Sequence, residues 1–156
     1  MARNGKVNVN DLENFRKQLD KSLNDDQINS FIESCAKELA ARLLAKVIKR
    51  TPVGDYPTGS GKTGGTLRRG WTGQQSQSAS AYANSLKVHH YGDAYVIEVI
   101  NPVEYASYVE FGHRTRGHTG WVEGHFMLTI SEQELERDAP RVLENKLKKK
   151  LGECFK

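Results

Sequence analysis

The sequence predicts an α+β fold, a small, mainly antiparallel β-sheet packed against a long N-terminal helix and a C-terminal helix. Three observations carry this expectation. Apolar residues recur with helical period from Ile28 to Ile48, a β-branched stretch follows the turn pair Gly92-Asp93, and a second helical pattern runs from Phe126 to Leu151. A chain of 156 residues fits one domain spanning 1–156, long enough to bury a core of its own.

The elements follow in order. Asp11 to Leu23 predicts a short helix with Leu12, Phe15 and Leu19 on one face and Asn10 or Asp11 as cap. After Asn24-Asp25-Asp26, the positions Ile28, Phe31, Ile32, Cys35, Leu39, Leu43, Val47 and Ile48 predict a helix of roughly 24 residues, about 36 Å long. Thr51-Pro52 ends it, because a residue before proline is pushed out of the helical region. The glycine-rich span 53–66 reads as a flexible loop. Its GSGKTGG is not a phosphate-binding loop, since GxxxxGK[ST] requires glycine where Tyr56 stands.

Leu67 to Gln75 is expected as a strand with Leu67 and Trp71 partly buried, and the polar run Ser76 to Ser85 as a loop. Leu86 to Ile100 predicts a β-hairpin about Gly92-Asp93. Past Pro102, VEYASYVEFG predicts a short helix stopped by Gly112, followed by an exposed connecting loop. The closing helix carries Phe126, Leu128, Ile130, Leu135, Val142, Leu143, Leu147 and Leu151, with Pro140 as a point of kinking or splitting.

Composition narrows the function. Apolar residues make up 37% and charged ones 27%, with no run near the roughly 20 apolar residues of a membrane span, so no membrane association is expected. MARNGKVNVNDLENF contains no apolar signal core, so the chain is expected in the cytoplasm. Cys35 and Cys154 lack paired spacing and read as free thiols. The net charge of +4 is modest, and Lys146, Lys148, Lys149 and Lys150 fall near the end of a helix, where cations complement the dipole.

The chemically richest stretch is Tyr105 to Leu128. His113, His118 and His125 lie five and seven residues apart, away from the spacing of a helical metal pair, and His89 and His90 point to opposite faces of a strand. Glu110 or Glu123 could pair with a histidine for acid-base work, but no nucleophile motif accompanies them. No enzyme activity and no cofactor are expected. Lys62, Arg68, Arg69 and Trp71, with Arg114, Arg116 and Trp121, combine cations and aromatics as a nucleic-acid-binding module would, the alternative reading. Contact with a neighbouring subunit is the favoured one.

Thr51-Pro52-Val53, Thr63-Gly64 with Leu67-Arg68-Arg69, and Tyr105-Ala106 through Val109-Glu110 to Gly112 together resemble the tail-component family of tailed phages. Its members are known as tail-completion or neck proteins of siphophages, contractile-tailed phages and PBSX-like defective prophages. The resemblance covers Ile28 to Ile130. Residues 54–62 look like an insertion between the TPV and threonine-glycine steps, and Gly124-His125-Phe126 replaces the proline-containing opening of the last helix.

The resemblance implies a fold similar to tail terminators and a virion structural protein assembled in the host cytoplasm. It implies a ring, a hexamer by expectation, at the head-proximal end of the tail. The ring would contact tail tube or sheath and the neck or connector, and DNA would pass through it without sequence-specific binding. Rings need two patches that meet head to tail, and buried aromatics and arginines suit them. The interface candidates are therefore Tyr105, Tyr108, Glu110, Phe111, Arg114, Arg116 and Trp121, and the partner-contact candidates are Lys62, Arg68, Arg69 and Trp71.

Overall fold

The computed structural model describes residues 10–154, and its two longest helices are the ones the apolar periodicity marks. Helix α1 (Asn10–Ser22) lies against the last helix. The cap expected at Asn10 or Asp11 and the face expected from Leu12 and Phe15 involve side chains outside the described residues. Helix α2 (Asp25–Arg50) starts where the Asn24 side chain accepts the Gln27 amide at 2.8 Å, with Asp25 and Asp26 in its first turn. It stops at Thr51, whose amide donates to the Val47 carbonyl at 2.9 Å before Pro52 breaks the ladder.

Helix α6 (Met127–Cys154) runs antiparallel to α2. Arg50, at the end of α2, donates to Ser131 Oγ at 2.9 Å and Glu134 at 2.7 Å, whereas Lys146, late in α6, donates to the Ser34 carbonyl at 3.0 Å and Glu38 at 2.9 Å. Lys46 adds contacts to Glu134 at 3.1 Å and Asp138 at 3.6 Å. Antiparallel packing sets the acids in the first half of α6 against cations near the end of α2, and Glu38, at the middle of α2, against a cation in the second half of α6. The lysines near the end of α6 are not dipole partners as expected, because the helix continues to Cys154 and its last turn holds no basic residue. Pro140 sits inside an uninterrupted α6, so it does not split the helix. Pro140 and Glu136 are both exposed, so water can satisfy the carbonyl that loses its partner.

The core joins Ala40, Leu44 and Val47 of α2 to Leu67, Trp71, Ala83 and Met127. Two expectations fail around it. Leu67 to Gln75 is no strand: helix α3 (Thr66–Gly70) begins it, and a helical turn carries Leu67 and Trp71, four apart, into the core together, fully rather than partly buried. Ser76 to Ser85 is not all loop, for helix α4 (Ala79–Ser85) starts there, with Ser78 Oγ accepting the Ala81 amide at 3.1 Å. Its small side chains allow close approach to α2, and Ala83 is completely buried.

The antiparallel pairing divides into two hairpins. Strands β1 (His89–Tyr91) and β2 (Ala94–Val96) meet through Gly92-Asp93 as expected. This hairpin docks on the first half of α2, with His90 Nε2 3.0 Å from Glu33 and the Tyr95 hydroxyl donating to Asn29 at 2.5 Å. Helix α5 (Ala106–Phe111) ends at Gly112 as expected. The segment after it is a second hairpin, β3 (Gly112–Arg114) with β4 (Trp121–Glu123), where a connecting loop was expected. Thr115 closes its turn, its amide donating to the Gly120 carbonyl and its hydroxyl accepting the Gly120 amide, each at 3.0 Å.

Candidate assembly surface

The motifs that carry the family resemblance meet in two buried joints. At the first, fully buried Thr51 donates its hydroxyl to the Val47 carbonyl at 2.6 Å and accepts the Trp71 indole N–H at 2.8 Å. The Thr51 carbonyl accepts two bonds from Arg68, at 3.2 and 2.7 Å. The end of α2 and the Leu67 to Trp71 segment are thereby one unit. Arg68 and Trp71 hold the fold together here, which leaves Lys62 and Arg69 as the exposed members of that candidate group. Lys62 lies 5.8 Å from the Tyr56 ring, and Arg69 donates to the Gly64 carbonyl at 3.3 Å.

The loop over 53–66 closes on itself. A Cβ on Gly64 would fall 2.1 Å from the Gly54 carbonyl oxygen, so the two glycines are in backbone contact and residues 55–63 leave and return at nearly one point. A loop closed in this way leaves the joint at Thr51 undisturbed.

The second joint is Glu110. It is 6% exposed, and its carboxylate accepts the Leu128 amide at 2.9 Å, the Thr129 amide at 2.9 Å and the Thr129 hydroxyl at 2.7 Å. These amides belong to the first turn of α6, where helical N–H groups have no partner within the helix and the dipole favours an anion. Glu110 thus caps the closing helix from 18 and 19 residues away in sequence. The chain between is fastened too: the His125 and Phe126 amides donate to the Val109 and Glu110 carbonyls at 2.7 and 3.0 Å. Gly124 is required there, because a Cβ would lie 2.3 Å from the Glu110 carbonyl oxygen.

With Glu110, Val109 and Ala106 turned inward, α5 turns its aromatics out. Tyr105 (44% exposed), Tyr108 (59%) and Phe111 (60%) follow at intervals of three along its outer side. Trp121 (55%) is exposed on β4, its indole nitrogen 3.0 Å from where a Cβ on Gly112 would be. Tyr105 and Tyr108 form one wall of a groove of about 270 Å³, faced by Pro52, Val53 and Tyr56 of the loop. Tyr108 meets His113 with ring centroids 5.7 Å apart.

Strand alternation places His113 and its partner Val122 on one face of the second hairpin and the cross-strand pair Arg114 and Trp121 on the other. Arg116 lies exposed in the hairpin turn. Of the seven candidates, six are exposed and only Glu110 is inside. His113, weighed in the sequence only as a metal ligand, lines the groove, as do Val122 and Tyr56, which carry no functional expectation in the sequence. Nothing local marks Val122 or Tyr56, because the three-residue strands β3 and β4 are too short for alternation to show.

Among the described residues, no group of three His, Cys, Asp or Glu side chains is placed to hold a metal ion. No buried side-chain polar atom among them lacks a hydrogen-bond partner. Nor is any helix among them long and apolar enough to cross a membrane.

No curated protein and no solved structure matches the chain. A family profile does, over residues 13–112, from α1 through α5 to the glycine that ends it. That profile is described as "Bacteriophage HK97-gp10, putative tail-component", and with most of its length matched the chain belongs to this HK97-gp10-like family of phage tail components.

Proposed function

We propose that this tail component is a virion structural protein that forms a ring, a hexamer, at the head-proximal end of the tail, completing the tube and joining it to the neck or connector. The observation that carries the reading is the outward row of aromatics Tyr105, Tyr108 and Phe111 along α5. Large exposed apolar clusters mark contact surfaces, and aromatics at their centres carry much of the binding energy. Tyr105, Tyr108, Phe111, Trp121, Arg114 and Arg116 form one half of the subunit contact, and a different patch of the next copy forms the other, as closure of a ring requires. Tail tube, sheath and neck proteins are the further partners. Assembly takes place in the host cytoplasm, and DNA passes through the ring.

The test is imaging of tails assembled with the chain, without it, and with Tyr108→Ser/Phe111→Ser. Omission is expected to give tubes of unregulated length or tails that fail to join heads, and the double variant to reproduce this while folding normally. Light scattering should give a single closed multimer for the parent chain and monomers for the variant. A parent chain that stays monomeric at all concentrations, also with tail tubes present, overturns the reading.

A further inference from the structure

Five cations gather where the Gln27–Arg42 stretch of α2 packs against the second half of α6. There α2 and α6 enclose two adjoining hollows of about 270 and 510 Å³, which share Lys146 and Lys149. Arg42, Arg141, Lys146, Lys149 and Lys150 line them against two carboxylates, Glu38 and Glu153. Glu38 is occupied by both Lys146 at 2.9 Å and Arg42 at 3.0 Å. Lys148, just outside, is neutralised by Glu144 at 2.6 Å. Arg141, Lys149 and Lys150 take part in no ion pair among the described residues.

These three cations have no helical role that accounts for them. The last turn of α6 carries no basic residue, so they do not serve its dipole. Arg141 and Lys149, with Asn145 between them, follow at intervals of four on one stripe of α6 about 12 Å long. That length matches the axial rise of three to four phosphates on one strand of duplex DNA.

The composition chooses between kinds of partner. Protein interfaces enrich aromatics and arginine and deplete lysine, and here lysines outnumber arginines. This groove has the opposite balance, with Phe31 and Val142 as its apolar lining. Single-stranded nucleic acid is held by exposed aromatic platforms, and here Phe31 is half-buried. We infer that the α2–α6 groove binds the phosphate backbone of duplex DNA, without reading sequence, through Arg141, Lys149 and Lys150. The site differs from the loop and hairpin cations of the sequence-based alternative, and it stands independently of the ring contact, which lies past the end of α2, about 14 Å along the helix axis from Arg42 at the nearest.

The experiment is fluorescence anisotropy of a labelled random-sequence duplex with the full chain, from 50 to 200 mM salt. Three phosphate contacts predict a slope of log K against log salt near −2.7, about a 40-fold loss of affinity across that range. Arg141→Gln/Lys149→Gln/Lys150→Gln is expected to abolish most of the salt-dependent binding with helix content and multimer size unchanged. Lys149→Arg/Lys150→Arg is expected to retain it. Lys62→Gln/Arg69→Gln is expected to leave it intact. Binding that survives the triple substitution, or is lost with Lys62 and Arg69 instead, overturns the assignment. So does tighter binding of a single strand of the same length, or binding of polyglutamate in preference to DNA, which would assign the groove to an acidic protein segment. None of these outcomes bears on the aromatic ring contact.

Discussion

Replacing Glu110 by alanine separates two roles that one sequence position could have. The carboxylate accepts two backbone amides and one hydroxyl at the start of α6, from a position 6% exposed. Hydrogen bonds to a charged group contribute about 1.5–3 kcal/mol each, and loss of a helix cap alone costs about 0.5–2 kcal/mol. The full sum is not expected, because burying the carboxylate has its own desolvation cost and half-buried Leu128 and Thr129 admit water after truncation. Glu110→Ala should therefore lower stability by about 2–4 kcal/mol. In a chain of this length that corresponds to a fall in Tm of about 5–15 °C. Glu110→Gln keeps one acceptor but turns an NH2 toward an amide donor and loses the charge at the dipole, so about half the effect is expected. The assay is urea unfolding followed by far-UV circular dichroism, at a concentration where parent and variant have the same multimer size. A Glu110→Ala chain within about 0.5 kcal/mol of the parent refutes the capping role. Lost multimerisation with an unmoved urea midpoint would place the carboxylate in a subunit contact instead.

The first joint and three further features give parallel expectations. Thr51→Val leaves the buried Trp71 indole N–H without an acceptor and should cost about 1–3 kcal/mol in urea unfolding, whereas Thr51→Ser should restore most of it; equal effects would refute the joint. Gly112 has φ +83°, and a Cβ there would lie 2.4 Å from the Val122 carbonyl oxygen, so Gly112→Ala should cost at least about 1–3 kcal/mol and open the second hairpin to amide exchange. Hydrogen bonding from Lys146 holds the Glu38 carboxyl below its ordinary value of 4.5, and Lys46, with Arg50, does the same for Glu134. Both carboxylates are thus favoured as anions in the folded state. Their contribution is complete above pH 4.5 and is lost as pH falls through the lower folded values. Lys46→Gln/Lys146→Gln should flatten the fall of stability from pH 5 to pH 3, and an unaltered profile would sink that account. Burial raises the Cys35 thiol, outweighing the nearby Lys146. Alkylation of Cys35 at pH 8 should be slow until urea unfolds the chain, and rapid native labelling would contradict this.

Where the sequence speaks through short-range physics, the structure follows it. The span of α2 comes from apolar period, its start from Asn24, and its stop from Pro52. The Gly92-Asp93 turn and the Gly112 stop also act through their own backbone preferences. Two helices were missed for opposite reasons. Helix α3 has five residues, too few for a period to appear, and it is held by Arg68 and Trp71 reaching Thr51. Helix α4 has a readable start in Ser78, masked by a Ser/Ala composition that resembles a loop. Strands β3 and β4, with three residues each, fall below the length at which alternation shows.

The candidate surface divides the same way. That aromatics and arginines concentrate between Tyr105 and Trp121 is plain in the sequence, and so is the kinship with phage tail components. Which of those side chains face outward depends on partners far along the chain. Thr51 draws Arg68 and Trp71 inward across 17 and 20 residues, and the first turn of α6 draws Glu110 in across 18 and 19. Local backbone preference and periodicity act over a few residues, so they identify elements; burial and hydrogen bonding between distant elements determine whether a charged or aromatic side chain closes the fold or is left for a neighbour.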